Sequence, residues 1–337
     1  MVDPAPRVSV LLPVYNGEAT LDLCLRSIAR QTEQRFECQI VDDGSTDGSL
    51  TIAGDHHRRD GRFTVLAGPH EGLVPTLMRG LSACRAPVVA RMDADDVMHR
   101  RRLSEQRSAL ERQPELSAVG CHVRLFPRSQ LGDGLRSYER WLNSIDSPER
   151  VAQDAFIECP IAHPTLTLRR DVLTEFGYRD QGWPEDYDLV LRMLAAGHRL
   201  GVVPRRLLMW RDGPSRLSRT DAAYSDAAFT ACRAHFLVRG LLAGREDYVL
   251  WGYGSTGKAL RSALALHGKH PAAIVELHPG RLGQRIFGAP VIPLEGLTEW
   301  CGIPILVSVA GQQARDQIRA ALAQMDFVEE RDFLCCA

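Results

Sequence analysis

The chain is 337 residues long, 25% charged and 45% hydrophobic, with a formal net charge of -1. That length suits two domains of ordinary size, and the near balance of charge excludes a partner held mainly by a strong field, such as nucleic acid or an anionic membrane surface. No N-terminal stretch combines a charged start, an apolar core and a cleavage site, no apolar run is long enough to span a bilayer, and the nine Cys include no CxxC pair, so a cytoplasmic protein with reduced thiols is expected.

In chain order, Val8 to Leu12 is a short apolar run ending at Pro13. Leu21, Cys24, Leu25 and Ile28 recur at helical spacing and predict a helix from about Glu18 to Gln31. Phe36 to Val41 reads as a second strand opening into the turn-rich Asp42-Asp43-Gly44-Ser45-Thr46-Asp47-Gly48. Another helix, a third strand at Phe63 to Leu66 and a fourth at Val88 to Met92 follow, the last running straight into Asp93-Ala94-Asp95-Asp96. Strands alternating with helices predict an α/β fold on a mostly parallel sheet flanked by helices. Ligands of such sheets bind beyond the carboxyl ends of the strands, where these polar clusters stand.

A second block begins near Val119 and carries His163-Pro164, the acidic Glu185-Asp186-Tyr187-Asp188 leading a helix to Ala196, and the basic Arg216 to Arg219. A helical stretch from about Ala222 to Leu242 meets the turn Gly244-Arg245-Glu246-Asp247, which divides the chain into domains of residues 1–243 and 244–337. Beyond it a strand from Val249 runs into Gly252-Tyr253-Gly254-Ser255-Thr256-Gly257, a GxGxxG, with a helix from Ala259 to Leu266. Strands at Ala273 to Leu277, carrying Glu276, and at Ile305 to Val309 complete a small Rossmann-like pattern.

Three carboxylates at the end of a buried strand repel one another, so a cation is their natural partner, and hard oxygen ligands suit Mn2+ or Mg2+. The competing reading of Asp93, Asp95 and Asp96 is a surface Asx-turn and helix cap. Context favours the first. Pro13-Val14-Tyr15-Asn16, Val41-Asp42-Asp43-Gly44-Ser45-Thr46-Asp47 and Met92-Asp93-Ala94-Asp95-Asp96, each at a strand end, resemble in order and spacing the motifs of family 2 glycosyltransferases of GT-A fold. His163-Pro164-Thr165, Arg169-Arg170 and Pro184-Glu185-Asp186-Tyr187-Asp188-Leu189 look like the later motifs of that family, so the resemblance covers residues 7 to 235 or so.

The resemblance implies an inverting transferase that takes a sugar from a nucleotide diphosphate donor, UDP favoured, to an acceptor hydroxyl in cell-surface glycan or glycoconjugate synthesis. It implies that Pro13, Tyr15 and Asn16 lie against the nucleotide, Tyr15 offering an aromatic face. Asp43 accepts a base N–H, Asp93 faces the ribose, and Asp95 binds the metal. Asp96 either shares that metal or orients Asp95. By the same resemblance Asp186 is the general base and Glu185 contacts the acceptor or the donor sugar. By the same resemblance the loop of Arg211, Arg216 and Arg219 closes over the leaving diphosphate, with Arg216 expected to bind the nucleotide sugar. The sequence departs from the family pattern at Gly213, where many relatives carry a His, and at Met78, where the family often carries an Asn. The acceptor is a glycan or lipid-linked, which allows peripheral membrane contact without a transmembrane segment.

The C-terminal domain admits either of two readings: a second nucleotide site on Gly252, Gly254, Gly257 and Glu276, or a docking domain that keeps the glycine turn for close packing. A P-loop is excluded because Ala259 follows Lys258 where Ser or Thr is needed. Two other functions compete for the whole chain. A sugar nucleotidyltransferase calls for a Gly-rich basic loop after the first strand, which Pro13-Val14-Tyr15-Asn16-Gly17-Glu18 is not; a regulatory sensor of nucleotide or sugar calls for a disabled site.

Overall fold

The computed structural model describes residues 5–213 and 216–337, and these form two compact units. The first comprises residues up to Val151, Pro160–Asp180 and Arg192–Arg216; the second comprises Ala152–Cys159, Gln181–Leu191 and Leu217–Ala337. Pro214 and Ser215, which belong to the arginine-rich loop, lie outside the described residues.

The first unit opens with β1 (Val8–Val14), α1 (Leu21–Ala29), β2 (Phe36–Asp42), α2 (Ser49–Arg59), β3 (Phe63–Ala67), α3 (Leu73–Ala83) and β4 (Val88–Arg91). It continues through β5 (Val97–Met98), α4 (Arg102–Arg112), β6 (Leu116–Phe126), α5 (Asp133–Leu142), α6 (Pro148–Asp154), β7 (Thr167–Arg169) and α7 (Arg170–Phe176). Helix α8 (Glu185–Ala195), whose residues up to Leu191 belong to the second unit, leads into β8 (Arg199–Arg211). The strands form one eight-stranded sheet in the order β3-β2-β1-β4-β7-β6-β8-β5. Its first half is parallel, β1 pairing with β2 and β4; β7 runs antiparallel to β4 and β6, and β5 antiparallel to β8. Strands β1 and β2 are buried along their whole length, as a parallel sheet covered on both faces requires.

The predicted first helix starts later than its periodicity suggests, at Leu21. The backbone N–H groups of Asn16, Gly17 and Glu18 donate to Ser45 Oγ, Ser49 Oγ and Asp47 Oδ2 at 2.9, 2.8 and 3.0 Å, so this segment is held as a loop against the loop after β2.

The second unit holds α9 (Leu217–Thr220), α10 (Asp226–Arg239), β9 (Asp247–Trp251), α11 (Ser255–Ala265), β10 (His270–Val275), β11 (Arg285–Ile286), β12 (Ala289–Ile292), β13 (Ile305–Val307), α12 (Gln312–Gln324) and β14 (Phe333–Cys335). Its six-stranded sheet has the order β11-β12-β10-β9-β13-β14, parallel except for the short β11. Alternate residues of β9 serve opposite faces: Tyr248 and Leu250 join one apolar cluster with Ala234, Leu237 and Leu242, while Val249 and Trp251 join another with Ile318 and Leu322. The stretch expected to be helical from Ala222 to Leu242 is interrupted, because Ser225 accepts the N–H of Ala228 and caps a new helix at Asp226, and the helix stops before Gly240. No helix among the described residues is long and apolar enough to cross a membrane.

Candidate active site

Three loops meet at the carboxyl ends of β1, β2 and β3. The lacing of residues 16–18 to residues 45–49 is completed by Asn16 Oδ1, which accepts the N–H of Thr46 at 2.8 Å, and by Glu18, which accepts the N–H of Gly48 at 2.9 Å. Asn16 has a φ of 49°, a left-handed conformation that Asn tolerates better than most residues. Pro13 is buried within β1, and Tyr15, the next residue but one, is 49% exposed.

Asp43 pins the third loop. One carboxylate oxygen accepts the N–H of Glu71 (2.9 Å) and the hydroxyl of Thr76 (2.7 Å); the other accepts the N–H of Gly72 (3.0 Å) and pairs with His70 Nδ1 (2.8 Å). Burial pushes this carboxyl up, but the donors of Glu71, Thr76, Gly72 and His70 outweigh it and hold Asp43 below the usual range. Gly44 makes the approach feasible: with φ at 74°, a side chain there would meet the backbone nitrogen of His70 at 2.6 Å. The imidazole of His70 stacks on Tyr15, ring centroids 4.1 Å apart at 14°. Sequence reasoning passed over His70; the signal available was its place in a polar Pro69-His70-Glu71-Gly72 at a strand end.

Beyond β4, Asp93, Asp95 and Asp96 each offer an oxygen within 4.8 Å of the others. Arg91, buried in the strand, pairs with Asp93 at 2.7 Å. Burial pushes the Asp93 carboxyl up, but the charges of Arg91, His163 and Arg216 prevail and keep it below the usual range. Burial, then the Asp93 charge, pushes Asp95 up to about 6. Burial and the charges of Asp93 and Asp95 push Asp96 well above the usual carboxylate range. Asp96 Oδ1 accepts the backbone N–H of Arg211 at 2.7 Å, while its buried Oδ2 has no hydrogen-bond partner among the described residues. Arg211 Nε also donates to the Asp95 carbonyl at 2.8 Å, fastening the acidic turn to the end of β8. Arg216 lies over the Trp210 ring at 4.5 Å. His163 bonds the Tyr178 hydroxyl at 3.1 Å.

The donor set fits a hard divalent cation. It is all oxygen, burial and mutual repulsion push two of its three carboxyls up, and it includes a buried oxygen with no hydrogen-bond partner among the described residues. Within the first unit, then, Pro13, Tyr15, Asn16 and Asp43 share one connected loop platform, and Asp93, Asp95, Asp96 and Arg216 gather at the end of β4 and β8.

In the second unit, Glu185 and Asp186 open α8. Glu185 is buried and accepts the Tyr224 hydroxyl at 2.5 Å; Asp186 is half-buried and its Oδ1 accepts the N–H of Tyr187 at 2.8 Å. Tyr187 anchors the turn by donating to the Ala155 carbonyl at 2.7 Å, and Trp183 Nε1 donates to Asp188 at 3.1 Å. Gly252, Gly254 and Gly257 follow β9, and Glu276 follows β10.

The sequence profile described as glycosyl transferase family 2 matches residues 9–177. The chain is 31% identical over 242 residues to the glycosyltransferase EpsE of Bacillus subtilis, spanning 69% of this chain and 84% of that protein. It is 31% identical over 217 residues to the amylovoran biosynthesis glycosyltransferase AmsE of Erwinia amylovora, spanning 63% and 78%. Among solved structures, S. aureus TarS 1–349 in complex with UDP-GlcNAc superposes with a TM-score of 0.54 at 15% identity, over 77% of this chain and 72% of that one. The mannosyltransferase PcManGT from Pyrobaculum calidifontis, in complex with GDP-Man and Mn2+, superposes with a TM-score of 0.52 at 17% identity, over 97% and 83%. At these identities the structural likeness is one of fold.

Proposed function

This chain belongs to glycosyl transferase family 2 and is a glycosyltransferase, and from that premise we propose that it is an inverting, metal-dependent enzyme that moves a sugar from a UDP-sugar to an acceptor hydroxyl. The observation that carries the reading is the acidic trio: three carboxylates within 4.8 Å, one oxygen buried and unpartnered among the described residues, at the carboxyl end of a sheet strand. Asp95 and Asp96 would hold Mn2+ or Mg2+. When bound, the metal supplies Lewis-acid stabilisation of the leaving diphosphate. The UDP-GlcNAc of TarS and the GDP-Man and Mn2+ of PcManGT support a nucleotide-sugar donor and a divalent ion.

The chain's own residues take the remaining work. Tyr15 and His70 give the base a stacking wall. Asp43 holds the His70 side of that wall in place and offers its carboxylate to a base N–H. Asp93, kept ionised by Arg91, meets the ribose hydroxyls, and Arg216 meets the diphosphate. Asp186 takes the proton of the acceptor hydroxyl as that oxygen attacks the anomeric carbon, and Glu185 orients a sugar. The relative named for amylovoran biosynthesis supports an acceptor in cell-surface glycan synthesis, glycan or lipid-linked, handled in the cytoplasm. The catalytic candidates all precede residue 244, and on that ground residues 1–243 carry the chemistry and 244–337 act as a Rossmann-like accessory part, while Gln181–Leu191 and residues 217–243 belong to the same compact unit as the C-terminal sheet.

A thermal-shift screen of UDP-, GDP- and dTDP-sugars with and without Mn2+ tests the reading, since a ligand that binds only the folded chain raises its melting temperature. A shift with a UDP-sugar that requires Mn2+ supports it; no shift with any of the three, or one indifferent to the metal, removes it.

A further inference from the structure

We propose that the glycine turn between β9 and α11 is a second nucleotide site, taking the ribose and diphosphate of a nucleotide. The topology singles out this spot. From β9 the chain moves to β10 on one side and later returns to β13 on the other, so β9 and β13 form the switch point of the six-stranded sheet. At such a point successive connections leave in opposite directions and a crevice opens beyond the carboxyl ends of the strands.

The three glycines of the turn do not do the same job. Gly252, with φ at 92°, would carry a side chain 2.6 Å from Val309 Cγ2, and a side chain on Gly257 would stand 2.2 Å from the Gly252 carbonyl. Close packing accounts for both. It does not account for Gly254, which has an ordinary φ of -77° and nothing within 4 Å of the place a side chain would fill. Gly254 is the N-cap of the 11-residue helix α11 and gives it no side-chain cap, although Ser, Asp or Asn would serve the helix better there. Open space in front of uncapped N–H groups is what an incoming phosphate needs.

Two further groups stand beside the same turn. Ser308, the first residue after β13, is 4% exposed; its Oγ has no hydrogen-bond partner among the described residues and lies 3.6 Å from where a β-carbon on Gly257 would stand. A buried hydroxyl facing the turn without a partner is one that a bound ligand or its water would satisfy. Glu276, just past β10, accepts the N–H of Leu277 at 3.0 Å and pairs with Arg281 at 2.9 Å, and Arg281 also donates to the Tyr253 carbonyl at 3.2 Å. An acid at the end of the neighbouring strand is placed for ribose hydroxyls, and the guanidinium tied to the glycine turn adds positive charge beside the phosphates.

The test is calorimetric titration of the full chain with ADP, NAD+ and UDP in EDTA, repeated on Gly254→Asp, Ser308→Ala and Asp95→Asn. The expected result is one saturable site for at least one nucleotide, untouched by Asp95→Asn. Gly254→Asp should weaken it by about tenfold or more, because the new carboxylate faces the phosphates, yet it should melt no lower than wild type, because Asp is a good N-cap. Ser308→Ala should weaken binding while the chain stays folded. Preference for NAD+ identifies a dinucleotide and preference for UDP a sugar nucleotide; both carry the proposed chemistry. Absence of binding by all three, or binding that Gly254→Asp and Ser308→Ala leave unchanged, overturns it.

Discussion

Replacing Asp95 with Asn should make the metal-free protein more stable while abolishing its chemistry. The Asp95 carboxyl is pushed up to about 6 from the ordinary 3.8, first by burial and then by the charge of Asp93. At about 1.4 kcal/mol for each tenfold change in proton affinity, keeping this half-buried group ionised costs the fold about 2–3 kcal/mol. Asn has the same shape and no charge, so it removes that cost. The sign follows from proton linkage: the folded state holds the proton more tightly than the unfolded chain, so wild type loses stability as pH rises from about 4 to about 6. The variant cannot ionise, so the gap between the two should be nearly absent at pH 4 and complete by about pH 7. In EDTA at pH 8 the variant should melt about 4–12 °C higher, at about 2–4 °C per kcal/mol for a unit of this size. Added Mn2+ should raise the melting temperature of wild type and leave Asp95→Asn where it was. A variant that melts with or below wild type in EDTA at pH 8 would refute the argument that the three carboxylates repel one another when no cation screens them.

Asp43→Asn turns an acceptor of four hydrogen bonds into a group that must present an NH2 to some of those donors; it should cost about 2–4 kcal/mol in urea unfolding and weaken UDP binding by about 1–3 kcal/mol, and unchanged values for both would remove Asp43 from the platform. Asp186→Asn should keep Mn2+ and donor affinity while turnover falls about 100-fold or more; near-normal turnover would move the base elsewhere. The product should have the opposite anomeric configuration to the donor, read by proton NMR, and retention would exclude a single displacement. A chain cut after Leu242 uncovers Ala234, Leu237 and Leu242, which pack in one cluster with Tyr248 and Leu250; it should aggregate in size-exclusion chromatography, and a monodisperse folded product would mean that the catalytic domain folds without the C-terminal sheet.

The parallel half of the first sheet could be read from the chain because its strands are mainly apolar runs, β2 with Glu37 and Gln39 inside it, that break into polar turns where the carboxyl end leaves the sheet. The same logic located the acidic trio and Asp43. The mixed half, in which β6 and β8 pair in parallel, was harder: β5 has two residues and β7 three, too few for any periodicity, and their place in the sheet depends on partners far away in sequence. The contribution of Ala152–Cys159 and Gln181–Leu191 to the second unit is equally non-local. His70 was missed because its stacking on Tyr15 arises only once Asp43 and Gly44 draw two loops together. Arg91 left a fainter sign, a lone charge at the end of an apolar strand just before three acids. The interruption at Ser225 was legible in principle, as a Ser-Asp pair inside a helical pattern is a start signal.

The measurement that bears most directly on the account is release of UDP from a UDP-sugar by the full chain, followed with Mn2+ and with EDTA, for wild type and for Asp95→Asn. The acidic trio predicts release that needs Mn2+ or Mg2+, stops in EDTA and is absent in the variant. Release by Asp95→Asn at the wild-type rate, or wild-type release that continues undiminished in EDTA, would contradict it.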